Sequence, residues 1–136
     1  MPSFRFEEVE HTADLALKVH GQSLAEVFIN AAYGLFSLMA DLENLAPSVS
    51  HEVHLEALDP ESLLVDWLNE LLYLHEVEEE IYNRFEIEAL SSTALSATVW
   101  GAKIAASKLT VKAATFHDLE IREKAGGYLA TVVFDV

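Results

Sequence analysis

The stretch Asp59-Pro60-Glu61, followed by Leu64, Trp67, Leu68, Leu71, Leu72 and His75, limits the fold more than any other part of the chain. Aspartate before proline is a helix start: the carboxylate accepts from unpaired first-turn amides, and proline removes an amide that would lack a partner there. The apolar residues recur every three or four positions and form one stripe, with Asp66, Asn69 and Glu70 looking outward. On such a stripe, His75 reads as a core residue rather than a ligand. Glu76, Glu78, Glu79 and Glu80 follow, and the helix macrodipole opposes acids at that end. Either the helix stops early or the repulsion is accepted, and the run is expected to be a solvated acidic end.

A second helix is predicted upstream. Ser23-Leu24-Ala25-Glu26 has the form of a capping box, and Leu24, Val27, Phe28, Ala31, Leu35, Leu38 and Met39 share one face up to about Ala40. Gly34 is a mild weakness inside it. Two amphipathic helices need a cover, and the remainder supplies strands. Phe4 to Val9 reads as an edge strand, and Leu15, Leu17 and Val19 alternate as a half-buried one. Val53, Leu55 and Ala57 alternate within 51–57; Phe85, Ile87 and Ala89 do so next, then Leu95, Ala97 and Val99 up to Gly101. Residues 102–107 read as a loop. Leu109, Val111 and Ala113 form one face of a further strand with Lys112 on the other, and Leu119 and Ile121 suggest a short one. Gly126-Gly127 is a hairpin turn, and Tyr128 to Asp135 is apolar on both faces, as a central strand is. The fold class expected is α+β: a single domain over 1–136, a two-layer sandwich of a mostly antiparallel sheet with the two helices packed on one face.

The charge balance narrows the chemistry. Eight Lys and Arg against 23 Asp and Glu give a net charge of −15. Strong direct binding of a nucleic-acid backbone is therefore not expected, since phosphate contact needs cations that displace counterions. The same excess attracts metal ions or a basic protein surface. Cysteine is absent, which excludes disulfides, thiolate metal sites and thiol catalysis. The N-terminus has no apolar leader, and Asp66, Asn69 and Glu70 break the longest apolar stretch, so the expectation is a cytoplasmic protein without membrane spans. No glycine-rich phosphate loop or GxSxG elbow occurs. His51 and His54 lie three apart on a strand and face opposite ways, so a shared zinc ion is not supported.

The remaining candidates are His11, Asp14, Lys112, His117 and Asp135. Asp14 opens one strand and Asp135 closes another, one residue before Val136. Two strand-end carboxylates, with a terminal carboxylate and nearby carbonyls, would suit a hard cation. A turn residue and a solvated tail would explain the same two acids. Lys112 stands out on a strand of small and apolar residues, although a solvent-facing lysine would look the same, and His117 ends Thr115-Phe116-His117.

Five blocks in order resemble the archease family: His11-Thr12-Ala13-Asp14; Asn30-Ala31-Ala32-Tyr33-Gly34-Leu35-Phe36; Leu64 through Tyr73, with Asp66 and Glu70; Val111-Lys112-Ala113 with Thr115-Phe116-His117; and Phe134-Asp135-Val136. The resemblance spans essentially the whole chain. It implies a non-enzymatic accessory protein for the tRNA-splicing and RNA-repair ligase that joins a cyclic-phosphate or 3′-phosphate end to a 5′-hydroxyl end. Such a protein promotes guanylylation of the ligase histidine and sustains multiple turnover. It further implies a divalent metal ion, usually calcium with magnesium or manganese as alternatives, held by Asp14, Asp135 and Val136. Lys112 matches a family lysine associated with activation, and His11 and His117 flank the same region. A small metal-dependent hydrolase and a chaperone-like protein modulator are the alternatives. In the family pattern glutamate follows the position of Gly101, and a later histidine precedes an acidic-Val-Lys strand; here Ala102 stands for the glutamate and Thr110 for the acid, and 103–108 holds neither acid nor histidine.

Overall fold

Ser23 and Asp59 start the two helices as anticipated. In the computed structural model, which describes residues 5–11, 14–104, 107 and 109–136 and the side chains of all these except 9–11, Ser23 Oγ accepts from the Glu26 amide at 3.1 Å. Helix α1 then runs Leu24–Met39. Asp59 accepts from the Ser62 amide at 2.7 Å, and α2 runs Pro60–Glu78. The strands are β1 (Phe6–His11), β2 (Asp14–Gly21), β3 (Val49–Glu56), β4 (Glu80–Leu90), β5 (Ala94–Lys103), β6 (Ala113–Lys124) and β7 (Gly127–Asp135).

The α+β reading holds, and every ladder is antiparallel, with the strands divided between two sheets. One sheet has the order β1-β2-β7-β6 and the other β3-β5-β4. Helix α1 packs on β2 of the first and β4 of the second, while α2 packs on β6 and reaches all three strands of the second sheet. One continuous core results. Its largest members, Trp67, Tyr82, Phe28 and Phe36, are fully buried, and the Trp67 indole N–H donates to the Phe28 carbonyl at 2.9 Å, tying α2 to α1. Gly34 has a packing reason: a Cβ there would come within 2.9 Å of the Phe6 ring of β1, so its helix propensity cost admits a close helix–strand approach.

Strand β7 is central, flanked by β2 and β6, and Ala130, Val132, Val133 and Phe134 are buried on its two faces. Its hairpin partner departs from the sequence reading. Strand β6 is one long strand over Ala113–Lys124, and Lys112 precedes it rather than standing on it. Its register shifts between Thr115 and Glu120, where Phe116, His117 and Asp118 are all exposed and Asp118 has φ 53°. A bulge of this kind breaks the alternation by which a strand is recognised.

The acidic end of α2 also differs from expectation. The helix continues to Glu78 and Glu79 turns left-handed at φ 55°, sending Glu80 back into the core at 3% exposure. Its carboxylate Oε1 is 2.6 Å from His51 Nε2 and accepts from the Tyr82 hydroxyl at 2.8 Å; Oε2 lies 3.7 Å from Lys103 Nζ. Lys103 also donates to the Glu78 carbonyl at 2.7 Å, placing a cation at the negative end of the helix dipole. His75, read as a core residue, sits 2.7 Å from the Glu80 carbonyl through Nδ1. Burial alone would raise the Glu80 pKa, but the bonds from His51 and Tyr82, with the charges of His51 and Lys103, hold it below the usual glutamate value. Burial, then the same bond and the Glu80 charge, push the Tyr82 hydroxyl far above its ordinary range.

Candidate functional site

The two ends of the chain meet in the first sheet. Strands β2 and β7 pair with Leu15 opposite Phe134 and Ala16 opposite Val133, so one further step of the ladder sets Asp14 opposite Asp135. Directly opposed residues project to the same face. That face is turned away from the main core, into which Leu17, Val19, Val132 and Phe134 point; Ala16 and Val133 beside the two acids are buried on it as well, and Lys18 further along is exposed. Asp14 is half-buried and Asp135 exposed, and among the described residues neither carboxylate has a hydrogen-bonded or ion-paired partner. Like charges set opposite each other in a sheet repel, so the pair gains from any cation shared between them.

The neighbouring strands bring two more candidates to this end. His11 closes β1 at the register position opposite Asp14; its side chain lies outside the described residues, as do Thr12 and Ala13. On the other flank Ala113 stands opposite Asp135, and the Lys112 amide donates to the Asp135 carbonyl at 2.9 Å. Val136 follows at 40% exposure. His117 is not in register with this group. It sits exposed in the bulged part of β6, with Nε2 3.2 Å from the Asp118 carboxylate. His51 and His54 go to separate partners, Glu80 and Ser96. In the divergent loop, residues 105, 106 and 108 lie outside the described residues.

Among the described residues no three His, Asp or Glu side chains converge on one point. Asp14 and Asp135 therefore supply two hard oxygen donors, and a cation there would complete its shell with the Val136 oxygen, water or groups from a partner. All-oxygen donors of this kind fit calcium, magnesium or manganese rather than zinc.

One positioning residue escaped the sequence reading. Asn69, taken as outward-facing, donates through Nδ2 to the Ala114 carbonyl at 3.1 Å and accepts the Ala114 amide at 2.7 Å through Oδ1. A primary amide carries both donor and acceptor, so it can pair with an edge strand as another strand would. Strand β6 is such an edge, and this contact fixes its first turn of chain beside Lys112. Lys112 in turn borders a cleft of about 470 Å³ between α2 and residues 110–113.

Comparison with known proteins agrees with this architecture. Residues 6–136 match the model of the archease protein family (MTH1598/TM1083). The archease of Methanosarcina mazei is 38% identical over 140 residues, covering 97% of this chain and 96% of that protein. That of Saccharolobus solfataricus is 38% identical over 137 residues, covering 97% and 99%. The solution structure of Methanobacterium thermoautotrophicum protein 1598 superposes with a TM-score of 0.82 at 32% identity, covering 98% of this chain and all of that one. The crystal structure of the Thermotoga maritima archease, described as a possible chaperone, gives 0.64 at 25% identity over 96% of each chain. No helix among the described residues is long and apolar enough to cross a membrane. By family match, identity and shared fold alike, the chain belongs to the archease family.

Proposed function

We propose that this protein is a non-enzymatic activator of the tRNA-splicing and RNA-repair ligase, acting through a divalent cation held at the strand-end carboxylates. The observation that carries this reading is the β2–β7 register, which extended by one step sets Asp14 opposite Asp135. Asp14, Asp135 and the Val136 oxygen would hold the cation. When bound, it offers positive charge close to nucleotide phosphates, where charge develops during phosphoryl transfer. The carboxylates orient that charge from two adjacent strands, a rigid base compared with a loop. Lys112, whose backbone is tied to Asp135, adds a cation on the flank, and His11 stands at the register position opposite Asp14.

The net charge of −15 suits this role. An acidic tip is drawn to a basic, RNA-facing cleft of a protein partner and has little affinity of its own for an RNA backbone. Guanylylation of the ligase, measured with and without this protein across a divalent-ion titration, tests the reading. Asp14→Ala and Asp135→Ala are expected to abolish stimulation while leaving the fold intact. Unimpaired stimulation by both variants rejects the mechanism.

A second reading, a chaperone-like modulator, draws support from the description of the Thermotoga relative and from the exposed Tyr73, Val77 and Phe116. It differs in its consequence: binding to many clients and indifference to chelators.

A further inference from the structure

Helix α2 carries an outer row that its core packing does not use. Asp66, Glu70, Tyr73 and Val77 recur at the three- and four-residue spacing of a single helical ridge. Tyr73 is 59% exposed and Val77 57%, two large apolar side chains one turn apart. Asp66 is exposed and Glu70 half-buried, and Glu76 and Glu79 are exposed at the far end, so acids bracket the apolar pair. Beside this ridge runs the cleft bordered by Leu72, Tyr73, Glu76, Val111 and Lys112. The cleft adjoins the strand end that carries Asp135, since the amide of Lys112 on its border is bonded to the Asp135 carbonyl.

Isolated exposed apolar residues need no explanation, but an aromatic side chain on the border of a cleft, with an aliphatic one a turn beyond it and charge around both, has the anatomy of a binding surface. Tyrosine is among the residues that most often dominate such surfaces. We infer that the α2 ridge and its cleft are the docking surface for the ligase, receiving a segment that inserts an apolar side chain over Tyr73 and Val77 and sets basic residues against Asp66, Glu70 and Glu76. This rests on the proposed function for the identity of the partner. An RNA ligase must present basic surface to its substrate, and the bracketing acids are complementary to it. The ridge holds the partner, and the adjoining tip acts on it. Affinity and activation thus reside in different residues.

The division of labour is testable with the intact protein and the ligase. The double variant Tyr73→Ser/Val77→Ser changes only exposed side chains, so its unfolding transition should match wild type. It is expected to raise the concentration needed for half-maximal stimulation of guanylylation by about tenfold or more, with the plateau unchanged. Asp66→Lys/Glu70→Lys should weaken docking further and flatten its salt dependence. Asp14→Ala/Asp135→Ala should do the reverse: unchanged binding to the ligase, with the plateau lost. If wild type stimulates and the ridge variants match it in half-saturation, the docking surface lies elsewhere and this inference alone fails. If wild type neither binds nor stimulates the ligase, the functional reading fails first and takes the inference with it. Sedimentation in which the ridge substitutions turn a dimer into a monomer would assign the surface to self-association and overturn it.

Discussion

Glu80 and the Asp14–Asp135 pair are both carboxylate sites, and the molecule treats them in opposite ways. Glu80 is buried and fully engaged, with His51, Tyr82 and Lys103 all directed at one carboxylate. Asp14 and Asp135 come from adjacent strands on the face turned away from the main core, and among the described residues their carboxylates have no hydrogen-bonded or ion-paired partner. An acid whose charge is answered inside the fold contributes to stability. Two acids placed side by side without an answering charge cost a little stability and leave capacity for something from outside. The contrast separates an acid engaged by the fold from two acids that the fold leaves unengaged.

The largest stability effect should come from the engaged site. Glu80→Ala leaves His51, Tyr82 and Lys103 around a vacancy and is expected to cost about 3–5 kcal/mol, as breaking a buried pair does. Chemical denaturation followed by far-UV circular dichroism checks this; a change below 1 kcal/mol would place Glu80 among the solvated acids after all. Acid should act through the same group. Its carboxyl is held below the ordinary value of 4.5, so its stabilisation is complete above that value and is lost as pH falls through the lowered native one. Wild type should therefore lose stability in acid below about pH 4.5 more steeply than a Glu80→Gln variant does. Tyr82→Phe, which removes one of the two donors to Oε1, should cost about 1 kcal/mol. Smallest of all, Asp14→Asn and Asp135→Asn in metal-free buffer should stay within about 0.5 kcal/mol of wild type, shifted upward because a repulsion is relieved. A large loss at either position would make it a structural residue and erase the contrast.

How much of this was legible in the sequence follows from what each element needs from its neighbours. The helices were readable because a cap and a stripe are local: Ser23 and Asp59 each bond an amide three residues on, as their positions implied. The central place of β7 was readable because a strand covered on both faces is apolar on both. Glu80 was not, because a run of glutamates ordinarily faces solvent, and what turns this one inward is a left-handed residue at 79 and a histidine 29 positions upstream. The extent of β6 was hidden by its bulge, and with it the place of Lys112 just ahead of the strand. Asn69 looked outward because a helical wheel sorts residues by hydropathy, and an amide pairing with an edge strand leaves no trace in hydropathy. The convergence of Asp14 with Asp135 is a matter of strand order, which no local pattern contains; the resemblance across the whole chain suggested it, and the ladder between β2 and β7 supplies the geometry.

Calorimetric titration of calcium into the metal-free protein addresses the carboxylate tip most directly, with the Asp14→Asn/Asp135→Asn variant alongside and its fold checked by circular dichroism. Wild type should bind one ion per chain and gain thermal stability as calcium rises, by the mass action of a ligand that favours the folded state, while the variant does neither. Equal binding by both proteins would place the cation elsewhere and contradict the role assigned to the paired carboxylates.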